Sequence, residues 1–161
     1  MSDAVTIMPS HDAAQLAALH AACFERAWSQ DSFAQSLAGP GVAALAAAQA
    51  SKPVGFIVLQ LLPSDATAPK DGAPEAEILT LGVRPSAQGC GIGKQLISQA
   101  VAQFGLAAMR LDVAADNRPA LALYRACGFC ETGRRADYYK KADGRRSDAV
   151  LMHAVFSHPM C

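Results

Sequence analysis

A chain of 161 residues, 52% hydrophobic and 17% charged, holds enough apolar material for one core and is not disordered in composition. Its 14 basic and 14 acidic side chains cancel, so it lacks the basic excess of proteins that live on phosphate backbones, and direct nucleic-acid binding is not expected. No uncharged apolar run reaches the ~18 residues of a spanning helix, so no membrane role is expected. Residues 1–9 contain Asp3 and no basic stretch, so no secretory leader is expected and the cytoplasm is the default compartment.

Residues 5–8 form a short apolar run suited to an edge strand. Ser10 is placed to cap the helix that follows, with Leu16, Leu19, His20 and Cys23 on one face. Trp28-Ser29 opens a second short helix, capped by Ser29 and stopped by Gly39-Pro40-Gly41. Residues 42–50 and 54–62 read as two strands joined by Ser51-Lys52-Pro53, although the alanines of the first leave a helix as a competitor. Residues 63–74, rich in Pro, Asp, Ala and Gly, read as a loop.

Residues 76–83 are then a strand, 92–104 a helix with Leu96, Ile97, Ala100 and Phe104 inward, and 109–114 a strand. Asn117 caps a helix with Pro119 in its first turn, and Gly128 ends it. Two strands near 130–138 and 148–156 flank a turn at Asp143-Gly144. No repeat or internal boundary is visible, so residues 1–161 read as a single domain. Strands alternating with helices imply an α/β or α+β sheet with helices on both faces.

The five cysteines, Cys23, Cys90, Cys127, Cys130 and Cys161, are odd in number and scattered, which is not a disulfide framework. Cys127-Gly-Phe-Cys130 has redox spacing but falls where a helix ends, whereas a redox pair usually opens one. His11, His20, His153 and His158 show no ligand spacing, so no metal is expected.

Gln88-Gly89-Cys90-Gly91-Ile92-Gly93-Lys94 lies between a strand and a helix. Its glycines allow a ligand close to the backbone. Amides of Gly89, Gly91, Ile92 and Gly93 then converge on the positive end of the helix dipole, beside the Lys94 ammonium, where a pyrophosphate fits. A Walker A loop needs four residues before Gly-Lys-Ser/Thr; here Gly89 and Gly93 enclose only Cys90, Gly91 and Ile92, and Gln95 follows Lys94. The dinucleotide fingerprint fails because its third glycine position is Leu96. A plain glycine-rich turn remains the alternative.

The loop sits in a longer pattern: Glu77-Ile-Leu-Thr-Leu-Gly-Val83-Arg84-Pro85, then the loop, then Leu111-Asp-Val113 with Asn117, then Leu123-Tyr124 with Gly128-Phe129. Together these resemble the GCN5-related N-acetyltransferase (GNAT) superfamily. Within it, Trp28-Ser29 with Phe33, Arg134-Arg135-Ala-Asp-Tyr138-Tyr139 and Asp148-Ala149-Val-Leu-Met152 are similar to the RimI-type bacterial ribosomal-protein alanine N-acetyltransferases.

The resemblance implies a GNAT fold. That is a mixed, mostly antiparallel sheet of about six to seven strands, splayed at a cofactor groove, with about four helices. It implies acetyl-CoA as co-substrate, without a metal, and direct attack by a primary amine in a ternary complex. Residues Leu81 and Val83 would bind the pantetheine arm, with an amide facing the thioester oxygen. Such an oxyanion contact is worth roughly 2.7–4 kcal/mol elsewhere. Gln88 and the loop would hold the pyrophosphate. Gly82, inside the strand, fits a bulge or a close backbone approach. Asn117 and Tyr124, two helical turns apart on one face, would line the groove.

The chemistry needs a base for the ammonium and an acid for the departing thiolate. The matching positions are Asp112 and Tyr124. Asp112 stands where the family usually has Glu, one methylene longer, so a bridging water, or Glu77 acting through water, is the alternative. Trp28, Tyr138 and Tyr139 would wall the acceptor site. The basic residues of the last hairpin are read either as a solvated hairpin or as a docking surface. The implied acceptor is the N-terminal α-amine of a protein, most plausibly ribosomal. A small-molecule amine, or a non-catalytic acyl-CoA-binding role, is the alternative. A monomer or weak dimer is expected.

Overall fold

The computed structural model describes residues 3–63 and 73–156. The loop expected over residues 63–74 falls largely outside them. One seven-stranded sheet runs in the order β1-β2-β3-β4-β5-β7-β6. Its strands are β1 (Val5–Pro9), β2 (Val42–Gln49), β3 (Lys52–Leu62), β4 (Glu75–Val83), β5 (Ala108–Ala114), β6 (Cys130–Lys140) and β7 (Arg146–Val155). Every pairing is antiparallel except β4 with β5. Four helices flank it: α1 (Ala13–Cys23), α2 (Gln30–Ala38), α3 (Ile92–Phe104) and α4 (Arg118–Ala126).

Each face of the sheet carries its own apolar cluster. One gathers Leu96, Ile97 and Ala100 of α3 and Leu121 of α4 against Ile57, Met109, Leu111 and Val113. The other packs Leu16 and Leu19 of α1 and Phe33 of α2 against Ala44, Phe56 and Val58. The alanines of β2 form a strand because both its edges are already paired, to β1 and β3, and its small side chains admit close packing. Tertiary pairing here outweighs alanine's helix preference.

Several boundaries differ from expectation. The cap of α1 is Asp12, whose carboxylate accepts from the Gln15 amide at 3.0 Å. Ser10 instead sits buried, its amide bonded to the Ala44 carbonyl, which ties the end of β1 to β2. The β2–β3 turn is Ala50-Ser51, both with positive φ. This is a two-residue hairpin turn whose twist suits the strands. Lys52 and Pro53 therefore belong to β3, and the proline is tolerated where the register shifts at Ala47/Ala48. Ser29 caps α2 as the sequence implies, accepting from the Ser32 amide.

The feature that positions the site is the parting of β4 from β5. They pair only from Glu75↔Ala108 to Glu77↔Arg110. Beyond that rung β4 continues with β3 to Val83, and β5 continues with β7 to Ala114. A bulge helps to turn β4 aside: Leu59 pairs with Ile78 and Val58 with Thr80, leaving Leu79 as the extra residue. The bulge thus falls at Leu79, and Gly82 is a close approach instead. A Cβ on Gly82 would lie 2.8 Å from Phe56 Cε1 and 3.1 Å from the side chain of Cys23.

Candidate active site

A groove of about 460 Å³ opens into this wedge. One wall is the end of β4 (Leu81, Gly82, Val83) and the loop after it; the other is one face of α4 with its cap, including Asn117, Leu123 and Tyr124. Gln88, Gly89, Gly91, Ile92, Gly93 and Lys94 line its phosphate-loop end. The expected cofactor residues Leu81, Val83, Asn117 and Tyr124 are thus brought together with that loop in one cavity.

The loop is built for an anion. Gly91 caps α3 in the left-handed region, φ 79°, with no side chain bonded to the helix amides. Gly89 has the same φ, and a Cβ at either glycine would meet nothing within 4 Å. The cradle is open and the first α3 amides are free of side-chain caps, so they are left to a ligand. Gln88 lies in the groove but also turns back, donating through Nε2 to the Val83 carbonyl at 3.0 Å. At Gly93 a Cβ would lie 2.9 Å from Leu123 Cδ2, so this glycine sets how closely the start of α3 meets α4. These residues fit acetyl-CoA: a polar cradle for a diphosphate and a largely apolar slot for a thin arm.

Asn117 caps α4, its Oδ1 accepting from the Ala120 amide at 3.3 Å. Two turns on, Tyr124 is 6% exposed and packs edge-to-face on Phe129 at 5.5 Å. Burial, then the Cys127 thiol and the Tyr139 phenol, hold its pKa well above the ordinary value. It therefore stays protonated at neutral pH, as a proton donor must.

The two carboxylates are placed differently. Glu77 sits on the last β4–β5 rung, paired with Arg110 at 3.7 Å. Asp112, two residues further along β5, is half-buried between core residues Leu111 and Val113 and so faces away from them. Neither lines the groove, and among the described residues no carboxylate does. Asp112 is close enough to Tyr139 to act on it. Burial first, then Asp112 and Tyr138, raise the Tyr139 phenol to about 12, against the opposing pull of Arg135.

Tyr138 is 51% exposed under the Arg135 guanidinium, with its ring 5.1 Å from that of Tyr139. Tyr138 is the last residue of a wide bulge, closed by Tyr139, where β6 has Ala136, Asp137 and Tyr138 against Asp148 alone. Trp28 lies outside the groove lining. It packs on His20 and Phe33, and its amide donates to His20 Nδ1 at 3.1 Å. The hairpin's charge is partly satisfied: Arg134 pairs with Glu131 and Arg145 with Asp143 within it, and Lys141 pairs with Asp116 of the loop before α4. Ser147 Oγ also donates to Asp116 at 3.2 Å, so the loop before α4 is tied to the hairpin.

Sequence reasoning gave no site role to several lining residues, among them Cys23 and Phe24 at the end of α1. Their residue types carry no functional signal, and only the fold brings α1 against Gly82. Cys127 and Cys130 are free thiols, and no metal-holding group occurs among the described residues. No helix there is long and apolar enough to cross a membrane.

A sheet that parts beside a glycine-rich helix start, with a protonated phenol facing the gap, defines the architecture of the GNAT acyltransferases. The chain belongs to that acetyltransferase (GNAT) family, whose model matches residues 13–129. It is 37% identical over 81 residues to the ribosomal protein bS18-alanine N-acetyltransferase of Escherichia coli K12, covering 48% of this chain and 54% of that one. It is 38% identical over 85 residues to the N-alpha-acetyltransferase RimI of Mycobacterium tuberculosis, covering 53% and 52%. The chain thus spans about half the length of these curated relatives. The crystal structure of the Escherichia coli S18-alanine enzyme superposes with TM-score 0.80 at 27% identity, over 98% of this chain and 97% of that one. Arabidopsis thaliana NAA60 in complex with acetyl-CoA shares the fold, with TM-score 0.78 at 22% identity over 94% of this chain and 98% of that one.

Proposed function

We propose that this protein transfers the acetyl group of acetyl-CoA to the N-terminal α-amine of a ribosomal protein. The observation that carries the reading is Tyr124: a buried phenol, kept protonated, in the same groove as an uncapped glycine-rich helix start. Similarity to two N-terminal acetyltransferases supports the acceptor class.

In this reading residues 88–94 hold the pyrophosphate, and the end of β4 binds the arm, with an amide near Gly82 facing the thioester oxygen. Asn117 contacts the arm. The neutral amine attacks the carbonyl carbon; the new C–N bond forms, the C–S bond breaks, and Tyr124 protonates the leaving thiolate. The amine's proton passes through water to Asp112, the half-buried carboxylate on β5; Glu77, engaged by Arg110, is the weaker candidate. Trp28, Tyr138 and Tyr139 are assigned to the acceptor side, where the Tyr138–Tyr139 bulge and the basic hairpin would guide an entering peptide.

The test is incubation with acetyl-CoA and a panel of peptides and small amines, read by mass and by thiol release. The expected result is one acetyl on the α-amine of an Ala-starting peptide. No acetylation of any Ala- or Ser-starting peptide removes the protein acceptor. Transfer to small amines alone would assign a metabolite substrate, and tight acetyl-CoA binding without turnover would assign an acyl-CoA-binding role.

A further inference from the structure

Among the described residues, the groove's walls come from the stretches 81–94 and 117–124, and otherwise from Cys23 and Phe24 alone. Cys23 is the last residue of α1, and the Phe24 amide bonds back to the His20 carbonyl at 2.9 Å, which fixes the helix end in place. The Cys23 side chain abuts backbone: Cβ and Sγ would both lie 3.1 Å from a Cβ at Gly82. Phe56, 0% exposed, stands on the same side of Gly82 and leaves the contact little room to relax. Burial raises the Cys23 pKa, against a lowering by Arg84. The thiol is therefore neutral and acts as a small apolar filler.

We infer that Cys23 closes the acyl end of the groove, and that its size sets the length of acyl chain accepted. This rests on an acyl-CoA occupying the groove as proposed. With the pyrophosphate at the α3 start and the sulfur at Tyr124, the acyl carbons are the part furthest from the phosphates. They lie over Gly82, where Cys23 meets the strand. A methyl group fits against the thiol; a longer chain runs into Cys23 and the rigid contact behind it.

The test is calorimetric titration of wild type, Cys23→Ala and Cys23→Ser with acetyl-, propionyl- and butyryl-CoA, which needs neither acceptor nor turnover. Wild type is expected to prefer acetyl-CoA. In Cys23→Ala the butyryl-to-acetyl ratio of dissociation constants should fall by about tenfold, in line with the discrimination a methylene supplies in an apolar pocket. Cys23→Ser, nearly isosteric, should keep the wild-type ratio. An unchanged ratio in Cys23→Ala, or an equal change in Cys23→Ser, overturns the inference and leaves the acetyltransferase reading standing. A wild type that binds no acyl-CoA overturns both. A shifted ratio in a protein that acetylates nothing upholds the acyl wall and removes the enzymatic reading.

Discussion

The proposed acid and base, Tyr124 and Asp112, would act on different protons of one reaction, so they are best tested together. Tyr124→Phe deletes one oxygen from a side chain that still packs on Phe129. It should lower kcat by roughly 10²–10⁴ while leaving acetyl-CoA affinity nearly unchanged, as general-acid catalysis would require. Unchanged turnover counts against the acid. Asp112→Asn should lower kcat at least about 100-fold and lower kcat/KM for the acceptor with it. Glu77→Gln should do neither, because that carboxylate is already engaged by Arg110. Steady-state rates across pH for the three variants decide which carboxylate is the base. Tyr124 was legible in the sequence as a groove residue through the GNAT resemblance, with which its two-turn spacing from Asn117 agrees. The relation of Asp112 to Tyr139 was not, because it joins β5 to β6, strands kept apart in the sheet by β7.

Among the elements, the start of α3 carries the sharpest expectation. Gly91 occupies the left-handed region, which costs a non-glycine residue about 1–2 kcal/mol. A Cβ there meets no neighbour, so Gly91→Ala should destabilise by about that amount through the backbone alone. It should also weaken acetyl-CoA binding, since relief of the strain moves the amides that form the cradle. Urea unfolding with and without acetyl-CoA separates the two effects; equal stabilisation of both proteins by the ligand would remove the phosphate loop from this assignment. The loop's glycine pattern was readable because backbone geometry is local. The bulge at Leu79 was not, because its cause is a register shift against β3, a strand some twenty residues earlier.

At the scale of the whole molecule, the buried group that links folding to mildly acidic pH is His20. It is 3% exposed, accepts the Trp28 amide and stacks on Phe24 at 4.4 Å. Burial lowers its pKa to about 4, against 6.5 ordinarily. A depressed pKa means that the unfolded chain binds the proton first. Stability is therefore full above pH 6.5 and lost as pH falls towards 4, by up to about 3 kcal/mol. Urea midpoints taken across that interval should show the loss in wild type and a flatter dependence in His20→Gln. Equal slopes would take His20 out of the folding linkage. Because His20 packs between α1, α2 and β3, the loss should loosen the helices that carry Cys23 and Trp28.

What the sequence determined by itself is largely local. Helix starts at Ser29 and Asn117, the glycine cradle before α3, and the order of strands and helices follow from residue type and near neighbours. The same holds for the family, whose signature is a run of such local features in fixed order. The strand expected at β2 was borne out, with tertiary pairing excluding its helical competitor, and the tertiary structure alone decided that β4 leaves β5 after a single short ladder. It also decided that Cys23 and Phe24 line the groove while Glu77 and Asp112 lie outside its lining. Those outcomes depend on which strand pairs with which and on how closely α1 packs, and both are set by contacts between residues distant in the chain.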